Sequence, residues 1–118
     1  MKRAIQVIVS VLLLASGVQA GNAGELTYSK EQYALIIGQV AMLGLCRDAD
    51  SLKRHKITHG DCYAQSEKNL PVCQQEVLGA ATSFDGKLAL YKERDRLNTV
   101  RFERCLLEKI LIQQRNNK

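Results

Sequence analysis

The chain of 118 residues contains no tryptophan, only one proline, and 5% aromatic residues. It also lacks a glycine-rich phosphate loop, a dinucleotide-binding fingerprint and a nucleophile elbow, which excludes the enzyme classes that depend on those motifs. The apolar fraction of 46% and the charged fraction of 25% are typical of a folded protein and argue against intrinsic disorder. This length accommodates one domain and is too short for two.

The N-terminus has the pattern of a secretory signal peptide. Three residues, Met-Lys-Arg, form a short basic region, and residues 4–16 form an apolar stretch. That stretch is shorter than the about 20 residues that span a bilayer. Residues 17–20 (Gly-Val-Gln-Ala) then match the site that signal peptidase cleaves. We predict a cleaved signal peptide at 1–20, a mature domain at 21–118 with no stable membrane span, and a periplasmic or secreted location.

All four cysteines lie in the predicted mature domain, and an even number in a small exported chain predicts two disulfides. Of the three connectivities, we favour Cys46–Cys105 with Cys62–Cys73 nested inside it. The outer disulfide then ties the first long helix to the last, and the inner one closes a short segment. The main alternative pairs Cys46 with Cys62 and Cys73 with Cys105.

Hydrophobic spacing predicts an all-α fold, a small bundle of about four helices. Ser29 and Gln32 form a capping box before an almost wholly apolar segment that ends at Cys46, which indicates a central core helix. A short helix is expected at 51–55. Residues 66–69 are interpreted as a polar break, with Pro71 in the first turn of a new helix that ends near residue 81.

The last predicted helix extends from residue 87 to about residue 113. Its apolar residues recur at intervals of three, four and seven, as in an amphipathic helix. Asn98 and Thr99 lie in the middle of this segment and are expected to bend or divide it. No alternating pattern typical of strands extends over more than a few residues.

His55 and His59 are the candidate metal ligands. Two histidines four residues apart lie on the same side of a helix, and their imidazoles can bind Zn²⁺ or Cu²⁺. Asp61 or Cys62 would supply a third ligand. A periplasmic metal-binding protein is therefore the alternative function.

The candidate partner-binding residues are Tyr91, Arg94, Arg101 and Arg104. Residues 87–118 contain nine basic and four acidic residues, so this part of the chain favours an acidic partner. Tyrosine and arginine are also enriched at binding hot spots. A further reading uses Arg94, Arg101 and Arg104 to hold an anionic lipid surface.

The leading hypothesis is an exported, non-catalytic protein-binding domain without a cofactor. Its partner is expected to be another protein and not nucleic acid, because export removes the usual nucleic-acid target. Inhibitors or immunity proteins of exported enzymes and toxins fit this description, as do assembly factors of envelope secretion machines. The long last helix leaves a homodimer open.

Overall fold

A computed structural model describes residues 26–117 of the chain, so the predicted signal peptide lies outside the described residues. The elements follow in the order β1 (Thr27–Ser29), α1 (Lys30–Cys46), α2 (Ala49–His55), α3 (His59–Leu78), β2 (Ser83–Asp85) and α4 (Glu93–Asn116). The predicted class of four helices with two disulfides is confirmed. Between residues 26 and 117, no helix combines the length and the apolar character needed to cross a membrane.

Helix α1 begins at the predicted capping box. The Ser29 hydroxyl accepts a hydrogen bond from the Gln32 backbone N–H, and the Gln32 side chain accepts one from the Ser29 N–H. The helix buries Tyr33, Ile37 and Ala41 completely. Its apolar character does not make it fully enclosed, however, because other aliphatic side chains of α1 remain exposed: Leu35, Ile36 and Leu43.

The three long helices meet at Gly38 of α1. A β-carbon at this position would lie 3.0 Å from Leu70 of α3 and 3.7 Å from Phe102 of α4. Phe102 is completely buried there, and it belongs to the one hydrophobic core that these helices share. The absence of a side chain at Gly38 therefore allows α1 to approach α3 and α4 closely. This close packing offsets the low helix propensity of glycine.

Helix α3 is continuous from His59 to Leu78, so the predicted break at 66–69 and the predicted helix start at Pro71 are wrong. Pro71 lies inside the helix with its ring exposed. Beside it, the Asn69 side-chain amide donates to the Gln65 carbonyl, so a residue interpreted as a helix breaker instead bonds within the helix. Packing of Leu70 against the core and the anchoring of Cys73 outweigh the local cost of the proline.

Helix α4 begins at Glu93 and not at residue 87, and it continues through Asn98 and Thr99 without a division. Before it, β2 pairs with β1 in a two-stranded antiparallel sheet, with Tyr28 opposite Phe84. Asn98 and Thr99 are both buried and hydrogen-bonded. Thr99 donates to the Asp95 carbonyl, which leaves the helix intact.

The disulfides join Cys46 to Cys62 and Cys73 to Cys105, so the favoured pairing is wrong and the alternative is correct. The Cα atoms of the two pairs lie 5.6 and 5.8 Å apart. Because α3 is unbroken, Cys62 and Cys73 are separated by about 16 Å of helical rise. A disulfide requires Cα atoms about 4.4–6.8 Å apart, so these two cysteines cannot join. The pairing of Cys62 with Cys73 is possible only if α3 is broken between them, and the helix is continuous.

Candidate protein-interaction surfaces

The two histidines predicted as metal ligands lie on different elements. Helix α2 ends at His55, Lys56 adopts a left-handed conformation, and α3 begins at His59 behind the capping residue Thr58. They therefore do not share the helical face on which the metal prediction depended. Across residues 26–117, no group of three or more histidine, cysteine, aspartate or glutamate side chains is arranged to hold a metal ion. Cys62 is bound in a disulfide.

A buried polar network joins α1 to α4. The Tyr33 hydroxyl donates to Asp95 Oδ1 over 2.6 Å and accepts from the Asn98 amide over 3.0 Å. The other carboxylate oxygen of Asp95 accepts from the backbone N–H of Ala89 over 2.9 Å. Tyr33 and Asp95 are completely buried, and the Tyr33 ring stacks on Phe84 of β2 with centroids 3.9 Å apart. This network fixes β2 and the start of α4 against α1.

Arg94, one of the predicted partner-binding residues, belongs to this network. Its Nε donates to Asp95 Oδ1 over 2.7 Å, and its Nη1 donates to the Asp85 carbonyl over 2.6 Å. Its guanidinium also lies 5.3 Å from the centroid of the Tyr33 ring. These contacts give Arg94 a structural role, so it is not part of the predicted partner-binding cluster.

The pKa shifts in the network have identifiable causes. Burial raises the pKa of Asp95, but hydrogen bonds from Arg94, Tyr33 and the Ala89 N–H outweigh it and hold that pKa below its ordinary value. The Asp95 carboxylate in turn raises the pKa of Arg94. Burial raises the pKa of the Tyr33 hydroxyl, and Asp95 adds to this effect while the hydrogen bond from Asn98 opposes it. These pKa shifts therefore arise from contacts within the fold, chiefly the ion pair between Arg94 and Asp95.

Arg101 and Arg104 remain together on the exposed side of α4. They line one depression with Glu76 and Val77, and Arg104 also borders two others. One of those two lies along α4 itself, and we call its lining the outer face of α4: Arg104, Leu107, Glu108, Leu111, Ile112 and Arg115.

Tyr91 is 84% exposed in the segment before α4. Twelve residues lie between it and Arg104, and the helical part of that interval, from Glu93 onward, rises about 16 Å. The four predicted partner-binding residues therefore do not form one patch. Arg101 and Arg104 stay adjacent, Tyr91 stands apart from them, and Arg94 belongs to the buried network.

A second surface, which the sequence analysis missed, is a groove between α1 and α3. Its volume is about 390 Å³, and we call it the α1–α3 groove. Leu35 of α1 is 61% exposed beside it, the highest exposure among the large aliphatic residues described. The sequence did carry a sign of this groove, because α1 has more apolar residues than one buried face requires. Its lining includes Glu31, Leu35, Gln39, Glu67, Leu70 and Pro71.

In comparisons with known proteins, the chain matches no family model, no curated protein and no solved structure.

Proposed function

We propose that the protein is an exported, non-catalytic domain that binds another protein, and that the α1–α3 groove receives an apolar segment of that partner. The observation that carries the proposal is the 61% exposure of Leu35 in α1, the most apolar of the three long helices between residues 26 and 117. Exposed aliphatic side chains beside a groove with polar edges are typical of protein-binding sites.

Export is supported by the covalent structure and by the N-terminal pattern. Two disulfides indicate an oxidising environment, since the cytosol keeps thiols reduced. The basic and apolar pattern of residues 1–20 favours a signal peptide. We therefore place the protein in a periplasm or outside the cell. Inhibitors or immunity proteins of exported enzymes and toxins, and assembly factors of envelope secretion machines, work in such places.

The perturbed pKa values have causes that do not require a catalytic task. Tyr33, Arg94 and Asp95 bind one another inside the fold, and Lys109 bonds to Glu76 across α3 and α4. Burial raises the pKa of Glu103, which lies outside the α1–α3 groove. The groups that line the groove are carboxylates, amides and aliphatic side chains.

The chemistry of the groove defines the segment that it would accept. Leu35 and Leu70 provide apolar walls, while Glu31 and Glu67 place carboxylates in the lining, which contains no lysine or arginine. Pro71 adds its ring to the lining, and because proline has no N–H it does not donate to the Glu67 carbonyl one turn earlier. A helix with an apolar side and flanking basic residues fits this arrangement.

Site-specific photo-crosslinking tests the proposal. A photoreactive amino acid replaces Leu35 in the exported protein, and a second variant carries it at Leu90, which is 47% exposed before α4. We expect one defined adduct with another protein from position 35 and none from position 90, in cells that naturally make the protein. Mass spectrometry then identifies the crosslinked segment, which should contain basic residues beside apolar ones.

Charge-reversal variants distinguish specific binding in the α1–α3 groove from nonspecific crosslinking. Glu67→Lys should reduce the yield of the adduct from position 35, because it places a positive charge opposite the basic segment. Lys68→Glu, at the neighbouring exposed residue outside the groove lining, is the matched control and should leave the yield unchanged. No adduct, equal adducts from both positions, or an adduct only with copies of the same chain would contradict the proposal.

A further inference from the structure

The outer face of α4 mixes aliphatic and charged side chains. Phe102, Leu106 and Ile110 face the core and are buried. The residues of the outer face follow one another at intervals of three or four: Arg104, Leu107, Glu108 and Leu111. Leu107 and Leu111 are half-buried against the edge of the core and form a partly exposed apolar stripe, while Arg104 and Glu108 are exposed. Val100, one turn before Arg104, extends this stripe and is 38% exposed. The face therefore presents an apolar stripe with charges at its centre.

The charges at the centre of this face have no ion-pair partner among residues 26–117. The ion pairs that α4 does form there join Arg94 to Asp95 and Lys109 to Glu76, and neither includes Arg104 or Glu108. Arg104 and Glu108 are one helical turn apart and of opposite sign, so the centre of the face carries no net charge, while Arg115 adds a positive charge at its C-terminal end.

We propose that this face binds a second copy of the chain, with the two α4 helices antiparallel about a two-fold axis beside residue 106. A two-fold axis makes the contact reciprocal, so that residue i meets residue j and residue j meets residue i. In this register, Arg104 meets the partner's Glu108, and Glu108 meets the partner's Arg104. Val100 then lies opposite the partner's Ile112, which covers the apolar stripe.

The charge pattern of the outer face of α4 favours a second copy of the chain over an anionic membrane surface. An anionic membrane would bring negative lipid headgroups against Glu108, which lies between Arg104 and Arg115 on the face. A second copy instead supplies an opposite charge for both Arg104 and Glu108. A register shifted to place Arg104 opposite itself would bring two like charges together, which costs free energy. Charge therefore selects both the partner and the alignment.

Sedimentation equilibrium over a range of concentrations tests the dimer, with circular dichroism to confirm that each variant is folded. We expect the natural protein to dimerise reversibly. Arg104→Glu places two pairs of carboxylates together, and Glu108→Arg places two pairs of guanidinium groups together. Each single variant should therefore weaken self-association by about tenfold or more. Lys68→Glu, on α3, is the control and should dimerise normally.

Mixing the two single variants gives the deciding measurement. In the heterodimer, each Glu at 104 meets an Arg at 108, and each Glu108 meets an Arg104, so association should return to its natural strength. The double variant Arg104→Glu, Glu108→Arg should also dimerise with itself. A natural protein that is monomeric up to about 1 mM, or weak variants that do not rescue each other, would overturn the inference. Neither result bears on crosslinking at Leu35, because this inference does not rest on the α1–α3 groove.

Discussion

At the residue scale, Tyr33 of α1 connects three separate elements. Its ring stacks on Phe84 of β2, and its hydroxyl bonds to Asp95 and Asn98 of α4. A hydroxyl that satisfies two buried partners contributes more than its own hydrogen bonds, because its loss leaves those partners unpaired.

We therefore expect Tyr33→Phe to lower the free energy of unfolding by about 1–3 kcal/mol. The ring and its stacking on Phe84 stay in place, so the variant isolates the hydroxyl. Tyr91→Phe is the matched control, since Tyr91 is exposed and should tolerate the change. Chemical denaturation measures both variants, and an equal effect of the two substitutions would contradict the assigned role of the network.

Asp95 makes the stability depend on pH in a defined direction. Its pKa is lower in the folded chain than in the unfolded chain, so the unfolded state binds more protons in the acidic range. The stability that Asp95 contributes is fully present above about pH 4, the region of the unfolded pKa, and is lost as the pH falls through the folded pKa. We expect the free energy of unfolding to decrease below pH 4 less steeply in Asp95→Asn than in the natural protein.

Glu103 changes the stability with pH in the direction opposite to Asp95. It must therefore be present in both the natural protein and the Asp95→Asn variant. Burial, with a smaller contribution from the charge of Asp48, raises the pKa of Glu103. Its protonation on acidification therefore favours the folded state. Denaturation curves between pH 5 and pH 2 measure the difference that remains, and parallel pH profiles would show that Asp95 is not the group responsible.

At the scale of the elements, α3 shows a proline tolerated inside a helix. Pro71 cannot donate to the Glu67 carbonyl, and its ring is exposed. An alanine at this position restores the missing hydrogen bond and has a higher helix propensity. We expect Pro71→Ala to raise the free energy of unfolding by about 1–3 kcal/mol.

The same substitution should weaken the photo-crosslink from position 35, because it replaces the proline ring in the lining of the α1–α3 groove with a smaller side chain. Thermal unfolding measures the first effect and adduct yield the second. Ala64→Gly, at an exposed position of the same helix, is a control that lowers helix propensity without touching the groove lining. A destabilised Pro71→Ala variant would show that the proline ring contributes packing that outweighs the hydrogen bond.

The sequence predicted those elements whose signals are local. The hydrogen bonds of Ser29 and Gln32 lie within one turn, so the start of α1 was predictable. The continuity of α3 through Pro71 was not, because contacts with α1 and α4 decide it. The two-stranded sheet was not predicted, because its strands have three residues each and three helices separate them in the sequence. The contact between Phe84 and Tyr33 likewise forms only when the chain folds.

The candidate sites follow the same division. Spacing identified Arg101 and Arg104 as neighbours, because three residues make one helical turn. It gave no means to see that Arg94 turns toward Asp95, or that Leu35 faces a groove whose other wall is 35 residues away at Leu70. Contacts between residues distant in sequence decide both points.

At the scale of the whole molecule, the two disulfides connect the three long helices. One joins the end of α1 to the start of α3, and the other joins α3 to α4. On the loop-entropy model, these links stabilise the fold by about 3 and 4 kcal/mol. A protein of this size has about 5–15 kcal/mol in total, so reduction should remove much of its stability.

Peptide mapping without reduction checks the pairing directly. Trypsin places each cysteine in a different peptide, since lysine or arginine separates all four in sequence. We expect peptide 31–47 linked to peptide 57–68, and peptide 69–87 linked to peptide 105–109. The exported protein should also begin at residue 21 and show no free thiol. Recovery of 31–47 joined to 105–109 would contradict the connectivity and, with it, a continuous α3.

The pairing also bears on how the protein is made, because each disulfide joins cysteines that are consecutive in the sequence. A chain that leaves an export channel N-terminus first presents Cys46 and Cys62 before Cys73 and Cys105 have emerged. An oxidant that joins thiols in their order of appearance then forms the native pairs directly. Maturation on this route proceeds without the thiol–disulfide exchange that interleaved or nested cysteines require.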